Sequence, residues 1–122
     1  MRKLEYSQIV RKKLKILKGK LMEQYGEEFA KKRLGEISAR LRQLEEFGES
    51  GIRIAERYEV DTDYYLVFVR HNYFVYRMEP TKVIVVQMFN EKEDFMQKLF
   101  GLSGRTQESI DYWGRIKTSL RI

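Results

Sequence analysis

Residues 64–101 read YYLVFVRHNYFVYRMEPTKVIVVQMFNEKEDFMQKLFG, and the way this stretch is punctuated decides the fold. Residues 64–69 are a run of aromatic and β-branched side chains, a composition that suits a pleated, half-buried surface. His71-Asn72 interrupts the run, and asparagine tolerates the left-handed backbone of a tight hairpin. A second run covers residues 73–78 and ends at Glu79-Pro80-Thr81. Pro80 is the single proline of the chain, and it falls where a turn is wanted. A third run covers residues 83–89. The expectation is an antiparallel meander of three strands.

Side chains alternate along a strand, so Leu66 and Phe68 are expected on one face and Tyr65, Val67 and Val69 on the other. In the third run Ile84, Val86 and Met88 should oppose Val83, Val85, Gln87 and Phe89. Neither face is polar, so the sheet needs a cover. The stretch closes with a short helix: Asn90 is read as its N-cap, Glu91, Glu93 and Asp94 as its acidic first turn, and Gly101 as its C-cap. Phe95, Met96, Leu99 and Phe100 form its buried stripe.

Upstream, Leu4 and Tyr6 alternate with charged neighbours, as in a short edge strand, and Ser7 can cap a helix that starts after it. Over residues 8–25 the apolar positions Val10, Leu14, Leu17 and Leu21 recur at helical spacing. Gly26 breaks the pattern, and Ala30, Leu34, Ile37, Leu41 and Leu44 resume it as far as Phe47-Gly48. Two helices of similar length joined at one glycine form an antiparallel hairpin. Residues 52–60 are ambiguous and lean towards a strand, and Asp61-Thr62-Asp63 reads as a turn. The expected architecture is α+β: an N-terminal strand and a helical hairpin packed on a small antiparallel meander, with a short closing helix. The hairpin should cover one face of the sheet and leave the other as a shallow concave surface. Residues 1–101 form the domain, and residues 102–122 a basic C-terminal extension.

The length of 122 residues suffices for one core, and 43% hydrophobic with 13% aromatic content belongs to a folded chain. The absence of cysteine excludes a disulfide scaffold and a thiol nucleophile, and with one histidine it argues against a zinc site. No apolar run approaches the ~20 residues of a membrane span, so a cytoplasmic protein without metal or small-molecule cofactor is expected. The net charge of +6 is unevenly placed. Residues 1–20 hold Arg2, Lys3, Arg11, Lys12, Lys13, Lys15, Lys18 and Lys20 against Glu5 alone. Such a patch attracts a polyanion, either nucleic acid or an acidic protein. Residues 91–94 are acidic, which makes the molecule electrostatically two-sided.

The residues needed for most hydrolytic chemistry are missing: there is no nucleophile elbow, phosphate-cradling glycine loop or HExxH. What remains is Arg, Lys, Tyr and carboxylates on a sheet. These groups can run metal-independent phosphoryl chemistry on RNA, with a base for the 2′-hydroxyl, cations for the developing charge and an acid for the leaving oxygen. Arg77, Lys92 and Tyr73 are the catalytic candidates, with Tyr65 and Tyr76 nearby. Arg70, His71, Arg11, Lys12 and Lys15 are the candidates for binding RNA, and the aromatics offer stacking surfaces.

The run NYFVYRMEPTKVIVVQMFNEKEDFMQKLFG, preceded by the basic helical hairpin, resembles the RelE/ParE superfamily of bacterial toxins over residues 1–101. Tyr73, Tyr76 and Arg77 match its Y-x-x-Y-R-like strand, and Asn90, Lys92 and Asp94 fall on a second motif at the end of the last strand. The resemblance implies the toxin of a type II toxin–antitoxin module, bound by a cognate antitoxin that wraps it with an acidic or amphipathic segment. It implies one of two targets. RelE-like members cut mRNA on the ribosome, and ParE-like members inhibit DNA gyrase and lack the cutting residues. Phe74 stands where the RNA-cutting branch tends to place a strand arginine, and Asn90 replaces a common histidine. Tyr112 is a C-terminal tyrosine. The readings from other classes are a non-catalytic RNA- or ribosome-binding module and an inactive toxin-like domain that binds a partner.

Overall fold

The structure, a computed structural model, describes residues 1–101; the extension that contains Tyr112 lies outside them. Strand β1 (Lys3–Tyr6) leads into helix α1 (Gln8–Tyr25), and helix α2 (Glu27–Arg42) returns beside it. Ser7 caps α1, its Oγ accepting from the Val10 N–H at 3.2 Å. Gly26, at φ +93°, supplies the left-handed bend between the helices. Two 3-10 turns (Gln43–Glu45 and Gly48–Ser50) carry the chain to the two-residue strand β2 (Ile52–Arg53) and the short helix α3 (Ile54–Tyr58). The meander comes next as β3 (Tyr65–Val69), β4 (Asn72–Met78) and β5 (Lys82–Asn90), and helix α4 (Phe95–Phe100) closes it.

The five strands form one sheet in the order β1-β5-β4-β3-β2. β1 runs parallel to β5, with Leu4 opposite Val83 and Tyr6 opposite Val85, and every other pairing is antiparallel. The expected edge strand is therefore present, and the helical hairpin is the crossover that a parallel pair requires.

One core lies between the sheet and the α1–α2 hairpin. Val10, Ile37, Leu41 and Leu44 meet Val67, Phe74, Tyr76, Val83 and Val85 there. The opposite face is not the open concave surface expected from the sequence. Ile54 of α3 and Phe95 and Met96 of α4 pack on Leu66, Val75 and Phe89 and fill it. The cause is the apolar character of both faces, since each Å² of apolar surface removed from water is worth roughly 25 cal/mol.

Strict alternation also fails once. Opposite β4, the register of β5 steps from Tyr76↔Val85 to Val75↔Gln87, so Val86 is an extra residue in a bulge. Beyond it the faces exchange: Met88 joins the core under the hairpin and Phe89 the core under α4, the reverse of their expected partners. The bulge is held from α1. Ser7 Oγ donates to the Val86 carbonyl at 3.0 Å, and Lys13 Nζ donates to Gln87 Oε1 at 2.9 Å and to the Met88 carbonyl at 2.8 Å.

The cap of α4 is Asp94, which accepts from the Gln97 N–H at 3.1 Å, and not Asn90. Asn90 ends β5, and its Oδ1 accepts from the Lys92 N–H, forming a local turn that leaves residues 91–93 ahead of the helix. Gly101, at φ +70°, ends α4 as expected.

Candidate functional site

The β3–β4 turn falls on Arg70-His71 and not on His71-Asn72. Both turn residues have positive φ, +46° and +69°, as a two-residue hairpin loop of this hand requires. Asn72 is instead a buried strand residue whose Nδ2 donates to the Arg70 carbonyl at 2.8 Å. The turn thus holds two bulky residues in a conformation that favours glycine. Their side chains are engaged within the chain. Arg70 Nε pairs with Glu36 Oε2 of α2, and His71 Nδ1 lies 3.0 Å from Glu91 Oε1. Glu36 Oε2 is itself buried, and its partners are ionic contacts, Arg70 at close range and Arg33 Nε at 3.9 Å, rather than aligned hydrogen bonds. Replacing His71 with glycine should raise stability by about 1 kcal/mol, because the left-handed backbone no longer carries a Cβ and the ion pair lost is exposed. A urea titration of the two proteins checks this.

The three catalytic candidates are not brought together. Arg77 lies opposite Ile84 and pairs with Glu79 at 3.1 Å. Lys92 lies beyond Asn90, six residues further along β5, so the two cations are separated by roughly 20 Å of strand or more. Lys92 is exposed and its ammonium makes no ion pair among the described residues. Tyr73 is half-buried against the second core, its ring 4.9 Å from Phe95 and 4.8 Å from Phe68.

The other motif tyrosine, Tyr76, is fully buried. Its hydroxyl donates to the Gly48 carbonyl at 2.7 Å and accepts from the Gly51 N–H at 3.0 Å, which fastens the loop before β2 to the sheet. Burial pushes this hydroxyl up to about 12, against a smaller lowering by the Gly51 N–H. Burial also raises Tyr58 and Tyr6, the latter against a hydrogen bond with Ser38. At Glu93 burial pushes upward, but hydrogen bonds from Lys98 and the Asn90 N–H, with the nearby ammonium charges, hold the carboxyl below its usual range. Among the described residues, no group of three or more acidic or histidine side chains is placed to hold a metal ion, and no helix is long and apolar enough to cross a membrane.

A different set of cations does converge. Arg11, Lys15 and Lys18 lie at steps of four and three along α1, on one face of the helix. They rim a groove of about 450 Å³ between α1 and α2, floored by Leu14, Leu34 and Ile37. Tyr6 and Ser38 line it as well. None of the three cations makes an ion pair among the described residues. Lys12 is exposed and is not part of the groove lining. The basic spacing along α1 is legible in the sequence, which marks Arg11 and Lys15 as binding candidates. The contributions of Leu34, Ile37 and Ser38 depend on how α2 packs, which the sequence does not encode locally.

No protein-family model matches the sequence, and no curated protein matches it. A solved structure does. A chain of the chromosomal ParDE TA system from P. aeruginosa superposes with a TM-score of 0.62 at 14% identity, covering 74% of this chain and 96% of that one. The fold is RelE/ParE-like. Because the match spans nearly all of that chain, the strand, helical hairpin and meander of the RelE/ParE-like fold are shared as one unit.

Proposed function

We propose that this chain is the toxin of a type II toxin–antitoxin pair, and that it acts by binding DNA gyrase rather than by cutting mRNA. One observation carries the choice of mechanism. Metal-free RNA cleavage needs a base, an acid and cations around one phosphate, whereas here Arg77 and Lys92 stand roughly 20 Å or more apart along the sheet. Arg77, Arg70 and His71 are further occupied by carboxylates of the chain itself. The ParE-like branch, as the resemblance implies, works without such a cluster. The toxin reading itself is supported by the fold shared with a chain of a system named ParDE, and it carries with it a cognate antitoxin and a cytoplasmic site of action.

The test is to induce the chain in a bacterium from a tightly repressed promoter and to follow incorporation of labelled thymidine and labelled amino acids together. DNA synthesis is expected to fall first. If protein synthesis falls first, ribosomal mRNA cleavage replaces the gyrase reading, and Arg77→Ala and Lys92→Ala must then abolish cutting. If soluble protein accumulates and neither falls, the toxin reading is lost.

A further inference from the structure

The groove between α1 and α2 combines two properties that the rest of the surface does not. Its floor is apolar, with Leu14 and Leu34 half-buried above the core residue Ile37. Its rim is cationic and uncompensated: Arg11, Lys15 and Lys18 have no carboxylate partner among the described residues. The cations at the sheet behave differently, since Arg70, Arg77 and Lys82 are each matched by a glutamate of the chain.

From Arg11 to Lys18 the groove runs about 10 Å along α1, two turns of helix. We propose that it seats an acidic amphipathic helix of a partner protein, with aliphatic residues at helical spacing against Leu14, Leu34 and Ile37 and carboxylates facing Arg11, Lys15 and Lys18. A single-stranded RNA would satisfy the cations but would leave the aliphatic floor wet, because phosphate contacts bury no apolar surface. The groove therefore favours an acidic protein over the nucleic acid that Arg11 and Lys15 suggest when read alone. The inference rests on the toxin reading for who the partner is, and on the groove alone for the partner's chemistry.

The experiment uses the full chain and a labelled synthetic peptide of about 15 residues, long enough to form helix. The peptide carries leucines at i, i+4 and i+7 flanked by glutamates, and its controls are a scrambled peptide of the same composition and an oligo(U) RNA. Fluorescence anisotropy is expected to show the amphipathic peptide binding at least tenfold tighter than the scrambled one. The variant Arg11→Glu/Lys15→Glu/Lys18→Glu should lose that binding tenfold or more while keeping its circular dichroism and thermal transition. The variant Leu34→Ser should reduce it with all cations in place. Equal binding of the two peptides would reduce the groove to a non-specific charge patch and overturn the proposal. So would failure of either peptide to bind, or displacement of the peptide by stoichiometric RNA. Growth arrest reads the other hypothesis separately: a chain that arrests growth but ignores the peptide loses only this inference, and one that binds the peptide but arrests nothing loses only the toxin reading.

Discussion

Replacing Phe74 with arginine is expected to unfold the domain, and not to give it a catalytic cation. Phe74 is fully buried, opposite Val67 on β3 and Met88 on β5, on the face covered by α1 and α2. A guanidinium there would have no partner and no route to solvent, and an unpaired buried charge costs on the order of 5 kcal/mol or more once the cavity and desolvation terms add. That is comparable to the whole stability of a domain of this size, ~5–15 kcal/mol. The variant should show no cooperative urea transition, whereas Phe74→Leu should cost about 1 kcal/mol and keep one. The phenylalanine at this position is accordingly a packing residue. Its mismatch with the strand arginine of the RNA-cutting branch does not record a lost active-site group, since an arginine here would point beneath the helical hairpin and away from any RNA.

The second large effect concerns Tyr76→Phe. The substitution keeps the ring, stacked at 5.3 Å on Tyr65, and removes only the hydroxyl. Two backbone groups then lose their partner: the Gly48 carbonyl, which lies in a buried setting, and the Gly51 N–H. A cost of about 2–3 kcal/mol results, because unsatisfied buried groups forfeit their desolvation as well as the bond. The loop cannot recover by moving a larger residue in, since a Cβ at Gly51 would stand 2.9 Å from the Leu66 carbonyl oxygen and closer still to the Tyr76 hydroxyl. The pH dependence separates the hydroxyl from general packing. The folded value of Tyr76 is pushed from 10.0 up to about 12, so the protonated form is the one the fold holds. Its contribution is complete below pH 10 and is lost as pH rises from 10 towards 12. Wild type should weaken over that window in urea titrations, and Tyr76→Phe should begin lower but fall less steeply. Some slope will persist, because Tyr58 and Tyr6 are raised too.

Both effects bear on what could be read before any coordinates. The helical stripe Val10, Leu14, Leu17, Leu21, the break at Gly26, the three meander strands and the stop at Gly101 all carry local signals, and all appear where those signals place them. Features set by non-local packing were not legible. The bulge at Val86 leaves no mark in an unbroken apolar run, yet it exchanges the faces of Met88 and Phe89. Residues 54–58 turn from strand to helix because Ile54 is needed against Leu66 and Val75, which local propensity does not report. Asp94 displaces Asn90 as the cap because Asn90 is still paired to Asn72 in the ladder. For the candidate site, the residue types were legible and their convergence was not. Arg77 and Lys92 belong to one meander but to opposite ends of it, and Arg11, Lys15 and Lys18 acquire an apolar floor only when α2 packs beside them.

The brevity of β2 has a consequence for the chain on its own. Only Tyr65 and Leu66 of β3 are paired to it, so from Val67 to Val69 the outer backbone of β3 faces no strand among the described residues. Phe68, half exposed, sits in the middle of that segment. An open rim of unsatisfied amides beside an exposed aromatic ring is a nucleus for self-association. The same molecule made in excess, with nothing alongside it, should therefore be limited by colloidal behaviour before it is limited by the stability of its fold.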